Sequence, residues 1–107
     1  MDKLNKFEVA ALQDKDVAFG FDAYDVLKEI GALAKEARTE AGMSQLDLQR
    51  ASGIHQAELS RIETGSMERG PSVQMLVKLA HATGRRLIIG LSSREGDEAK
   101  APRVITI

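Results

Sequence analysis

With 107 residues, 15 Lys and Arg against 16 Asp and Glu, and a net charge of −1, the chain is predicted to be one domain with short extensions, too neutral for a purely electrostatic coat on nucleic acid. The absence of cysteine excludes disulfides and thiolate metal sites and fits a reducing cytoplasm. The opening MDKLNKFEVAALQDKD lacks the apolar run of a signal peptide and no stretch is long and apolar enough to span a bilayer, so a cytoplasmic protein without a membrane partner is expected.

Residues 1–24 read as an N-terminal helical extension carrying three lysines against five acids. All four aromatic residues of the chain lie in it: Phe7, Phe19, Phe21 and Tyr24. The spacing then predicts a helix over 25–41, with Val26, Leu27, Ile30, Leu33, Ala34, Ala37 and Ala41 on one wide stripe. Asp22 or Asp25 would cap its start and Gly42 would end it. Ser44 offers a hydroxyl cap to a second helix over 45–51, and Asp47, three residues later, is close to a capping box. Gly53 breaks that helix. A third runs from about His55 to Glu63 with Leu59 and Ile62 pointing inward, and Thr64 to Ser72 is a loop holding Gly65, Gly70 and Pro71. Ser72 caps a fourth helix in which Val73, Leu76, Val77 and Ala80 repeat at helical spacing before Gly84 stops it. Leu87, Ile88, Ile89 and Leu91 then form an apolar run that reads as a strand. Residues 92–102 read as a polar linker, and Val104 to Ile107 as a second strand or a frayed tail. Residues 25–84 thus form the helical domain and 85–107 a strand and tail.

The second and third helices meet at Ser52-Gly53-Ile54, a break too tight for an antiparallel pair, so they cross steeply as a helix-turn-helix. Such a unit projects the start of its second helix outward, narrow enough for a major groove. That start holds His55, Gln56, Ala57 and Glu58, followed one turn on by Ser60 and Arg61. Gln pairs bidentately with adenine, Arg with guanine, and Ala touches the thymine methyl. Arg61 reads as a base reader or as half of a surface pair with Glu58. Glu58 accepts from a cytosine amine or stays solvated, and His55 touches a phosphate or stands in for a serine or threonine cap.

The string MSQLDLQRASGIHQAELSRIETG resembles the lambda-repressor and Cro type of helix-turn-helix, the XRE-like family. The matching residues are Ser44-Gln45, Leu48, Gly53-Ile54, Gln56, Leu59-Ser60-Arg61-Ile62-Glu63 and Gly65. The resemblance implies a mainly α, lambda-repressor-like domain of four to five helices with a short C-terminal β-strand. It implies that Gln45 holds a phosphate, that Gln56, Ala57 and Arg61 face bases, and that the loop around Thr64, Ser66 and Arg69 meets the backbone again. It also pairs Arg38 with Glu63, which sits well with two opposite charges at the margins of packed faces. One departure stands out: the family usually has alanine after the leucine of the second helix, and this chain has Gln49 there.

A lone strand over 87–91 needs a partner for its backbone groups. Two copies joining strands across a two-fold axis are favoured over an intrachain hairpin with 104–107, so Leu87, Ile88, Ile89 and Leu91 are the candidate dimerisation residues. The layout resembles HigA-like antitoxins. That resemblance implies autorepression of an operon and neutralisation of a small RelE/HigB-like ribonuclease, with Phe7, Leu12, Phe19, Phe21 and Tyr24 as the candidate toxin-binding surface. The competing readings are a stand-alone repressor, with the aromatic residues padding the first helix, and an interaction module that has lost DNA binding. Two histidines 26 residues apart, no nucleophile elbow and no phosphate-cradling glycine loop argue against a metal, a cofactor or an enzyme. Arg85 and Arg86 either reach DNA or serve as charges at a strand edge.

Overall fold

The structure, a computed structural model, describes residues 15–92 and 103–107, with side chains from residue 25 onward. Helix α1 spans Lys15–Glu40. It starts ten residues before the sequence predicts, running through Asp22 and Asp25, because aspartate inside a helix costs only a fraction of a kcal/mol (about 0.7 or less). The boundary expected between residues 24 and 25 therefore falls within one continuous helix. Helices α2 (Gln45–Ser52), α3 (Gln56–Thr64) and α4 (Val73–Ala82) follow. Strands β1 (Ile88–Leu91) and β2 (Arg103–Thr106) complete the described chain.

The short helices begin where their capping side chains sit. The Ser44 hydroxyl accepts the Asp47 N–H, and the Asp47 carboxylate accepts the Ser44 N–H in return at 2.9 Å. At α4, Ser72 accepts the Met75 N–H, and Thr83 closes the helix by donating its hydroxyl to the Leu79 and Ala80 carbonyls. The core lies where the four helices converge: Ala34, Leu48, Ile54, Leu59, Ile62 and Leu79 are buried, with Met43, Met67 and Met75 packed around them.

The buried face of α1 is narrower than the predicted stripe. It consists of Gly31, Ala34 and Ala37, flanked by half-buried Leu27, Ile30 and Arg38. Leu33, expected inside, is 66% exposed. The reason is the closeness of α3. A Cβ placed on Gly31 would overlap the Ile62 carbonyl oxygen and lie 2.6 Å from that of Glu63. The two helices touch backbone to backbone along the small residues, which turns Leu33, about 100° round the helix from Ala34, into solvent.

The two strands pair with each other, antiparallel, in the register Ile88 with Thr106 and Leu91 with Arg103. Leu87 and Ile107 exchange both backbone bonds beside them. The intrachain hairpin is thus the arrangement adopted. The premise that strand 87–91 lacks a partner in its own chain is overturned, because residues 103–107 supply the missing donors and acceptors. Ile88, Leu91, Val104 and Ile105 remain more than half exposed on this ribbon. Among the described residues no helix is long and apolar enough to cross a membrane.

Candidate nucleic-acid interface

The turn between α2 and α3 is built from three residues, Gly53, Ile54 and His55. Gly53 takes φ +78°, where any side chain would be strained, and its N–H closes α2 on the Gln49 carbonyl at 2.8 Å. The Ser52 hydroxyl donates to the Leu48 carbonyl and accepts the Ile54 N–H at 3.1 Å. Ile54 itself plugs into the core. The turn is therefore anchored at both ends and in the middle, which sets the angle at which α3 leaves.

All four leading N–H groups of α3 have partners within the chain. The Gln56 N–H goes to Gln49 Oε1 at 2.7 Å, and the Ala57 N–H to His55 Nδ1 at 3.2 Å. The Glu58 and Leu59 N–H groups both reach the His55 carbonyl at 2.9 Å. His55 thus occupies the cap position, one of its two sequence readings, and the Nδ1 that accepts carries no proton. Leu48, beside Gln49 on α2, is fully buried.

Along α3, Leu59 and Ile62 face the core while Gln56, Ala57 and Arg61 are exposed and Glu58 and Ser60 are half-buried. Arg61 and Glu58 form no ion pair with each other, whereas Arg38 pairs with Glu63, Arg50 with Asp47 and Arg85 with Glu40. The outward surface of the helix start is thus an amide, a methyl and an unencumbered guanidinium. Beyond the helix the Thr64 and Ser66 hydroxyls lie 2.8 Å apart, and Thr64 also donates to the Ser60 carbonyl. Ser66 and Arg69 are exposed.

Behind this surface runs a chain of polar contacts into the interior. Gln56 Nε2 donates to Gln45 Oε1 at 3.4 Å, and Gln45 Nε2 donates to Glu63 Oε1 at 3.2 Å. Arg38 grips the same carboxylate in a two-pronged fork, Nε to Oε2 at 2.7 Å and Nη2 to Oε1 at 2.9 Å. Its Nη1 holds the Met43 carbonyl at 2.9 Å. The two side chains are only 12% and 4% exposed. The hydrogen bonds with Glu63 raise the Arg38 guanidinium above its ordinary pKa, against the opposing effect of burial. Because the carboxylate only accepts, it orients the Gln45 amide: nitrogen inward, oxygen outward to Gln56.

Ser44 is exposed and engaged in its capping box. The Ser44 N–H, and then the Ser44 side chain, hold the Asp47 carboxyl below the usual carboxylate range. A depressed folded-state pKa contributes stability that is present above the unfolded value and lost as pH falls through the folded one. Asp47→Ala is therefore expected to lower the melting temperature at neutral pH. The gap to the unsubstituted chain should narrow as pH falls through and below the ordinary carboxylate range, measured by thermal melts at a series of acidic pH values. A gap independent of pH would refute the capping role.

Three contacts escaped the sequence reading. Gln49 and Gln45 reach across helices, and only the assembled turn brings their amides to Gln56 and Glu63. Arg85 is the third. Its Nη1 donates to the Ala37 carbonyl at 3.2 Å and the Thr83 carbonyl at 3.3 Å, and its Nη2 pairs with Glu40. It ties the segment before β1 to the last turn of α1, where the Ala37 carbonyl also accepts the Ala41 N–H, and Arg86 beside it is exposed. His81 Nε2 lies 3.0 Å from the Ile107 carbonyl. Phe7 and Leu12 lie outside the described residues, and so do the side chains of Phe19, Phe21 and Tyr24 on α1.

No curated protein and no solved structure matches the chain. The family model described as Helix-turn-helix matches residues 35–88, half of its length, spanning the end of α1 through the start of β1. By that match, over the segment whose turn, caps and outward helix start have just been described, the protein belongs to the XRE-type helix-turn-helix family of DNA-binding regulators.

Proposed function

We propose that the protein is a sequence-specific transcriptional repressor that inserts the start of α3 into the major groove. The observation carrying this reading is the exposed set Gln56, Ala57 and Arg61 on a helix whose opposite side, Leu59 and Ile62, is locked in the core. Gln56 reads adenine, Arg61 guanine and Ala57 the thymine methyl, with Glu58 and Ser60 beside them. Ser44, Gln45, Thr64, Ser66 and Arg69 flank the groove and meet phosphates, with the capping His55 at the helix start beside them. Two copies bind a palindrome with half-sites about one helical turn apart or a multiple of it. The exposed Ile88, Leu91, Val104 and Ile105 of the hairpin, with Leu87 and Ile89 alongside, support pairing of those copies through this ribbon.

Binding-site selection with a random duplex library tests the reading. Gln56→Ala is expected to relax preference at one position per half-site. Arg61→Ala should cost about 1–3 kcal/mol of discrimination and leave the melting temperature nearly unchanged. An unchanged preference in either variant removes that residue from the reading set.

The finer reading is an antitoxin that represses its own operon and masks a small RelE/HigB-like toxin. It is supported by the resemblance of the layout and by the aromatic cluster Phe7, Phe19, Phe21 and Tyr24, with Leu12, ahead of the DNA-binding unit. Low-salt affinity purification from native cells decides it. A small stoichiometric protein eluting with promoter DNA establishes the antitoxin, whereas promoter DNA alone makes the protein a stand-alone regulator.

A further inference from the structure

Gln49 lies outside the set of residues facing bases, yet it brackets the turn. Its backbone carbonyl accepts the Gly53 N–H at 2.8 Å, and its side-chain oxygen accepts the Gln56 N–H at 2.7 Å. The first N–H of a helix has no partner within that helix, and the cap side chain normally serves the second or third. Here the cap His55 serves Ala57, so the first N–H falls to a side chain from the preceding helix. One residue of α2 thus holds both the exit of its own helix and the entry of the next.

We propose that Gln49 is a positioning residue for base readout: it fixes the Gln56 backbone, and through it the register of the Gln56 amide against the base. This rests on the reading of Gln56 as a base contact. Beyond the bonds of its own helix, Gln56 is steadied through its side chain by the 3.4 Å contact to Gln45. Without the Gln49 acceptor the leading N–H of α3 loses its partner, and His55 is the cap that remains. A bidentate amide–adenine pair tolerates little displacement, since both bonds must form together. The choice of an amide also fits the setting. A carboxylate would cap a helix start at least as well, but it would stand against DNA phosphates, whereas the amide accepts the same bond without the charge.

The test uses the full chain with Gln49→Met, which keeps the length and removes the acceptor, and Gln49→Glu, which keeps the acceptor and adds charge. Two readouts are taken: amide hydrogen exchange of Gln56 without DNA, and selection from a random duplex library. Gln49→Met should raise Gln56 exchange about fivefold and leave Leu59 unaltered. It should flatten preference at the half-site position read by Gln56 while sparing the one read by Arg61. Gln49→Glu should restore both the protection and the preference, and weaken binding to all sequences alike. Unchanged Gln56 exchange in Gln49→Met, or retained preference at its position, overturns the proposal. If Gln49→Met fails to fold, Gln49→Glu decides, because loss of either protection or preference there also overturns it. If the unsubstituted chain selects no sequence, the repressor reading and the readout role fall together, and the exchange rates still show whether the bond itself exists.

Discussion

Arg38→Ala is expected to destabilise the protein by roughly 3–5 kcal/mol, the cost of leaving a buried charge without its partner. The Glu63 side chain is 4% exposed, and its carboxylate takes two prongs from Arg38 and one weaker bond from Gln45. Removing the guanidinium leaves that carboxylate facing a single 3.2 Å amide donor, and it also strips the Met43 carbonyl of its partner at the end of α1. The loss should lower the melting temperature by more than about 10 °C in a chain of this size. Denaturant titration measures it directly. The comparison that matters is with the double variant Arg38→Met, Glu63→Leu, in which neither charge remains. That variant should recover most of the loss. A single-variant cost below about 1 kcal/mol, the range of exposed pairs, would show that the fork is screened by solvent and does not fasten α1 to α3.

Gly31→Ala should cost about 2–3 kcal/mol of stability, although alanine is the better helix former by about 1 kcal/mol. The added methyl meets the Ile62 and Glu63 carbonyl oxygens, which are backbone and cannot swing aside. To admit it, α1 and α3 must move apart, which loosens Ala34 from Leu59 and Ile62 and pulls on the Arg38–Glu63 fork. The substitution therefore reaches both the core and the ion pair. Ala32→Gly, one residue along on the exposed side of the same helix, should lose only the ordinary propensity difference of about 1 kcal/mol. Equal or improved stability for Gly31→Ala would mean that the helices cross elsewhere.

Much of the helical domain was legible in the sequence because its punctuation is local. Ser44 with Asp47, Ser72, and Gly53 each act within a few residues of themselves, so the ends of α2 and the start of α4 follow from composition and spacing. The meeting of Arg38 with Glu63 was also readable, through the family resemblance, with which two charges at the edges of packed stripes agree. What depends on assembly was not. Whether Leu33 or Gly31 faces inward is decided by how closely α3 approaches, and hydrophobicity alone favours the leucine. For β1 the sequence favoured a partner strand from a second copy, but a strand satisfies its ladder equally well within a chain, and residues 103–107 supply the partner. Gln49 reads as an anomaly in α2 until the turn folds and brings the Gln56 N–H to it.

The contacts that end on Gln56 make the base readout proposed for it poorly portable. Its side chain leans on Gln45, its backbone on Gln49, and Gln45 in turn on the carboxylate that Arg38 neutralises. A graft of residues 55–61 onto another scaffold of this fold, one with alanine in place of Gln49, transfers the letters of the recognition code without the frame that aims them. The transplantable unit runs from Gln45 to Glu63, and it carries its alphabet only where an arginine waits on the neighbouring helix to receive it.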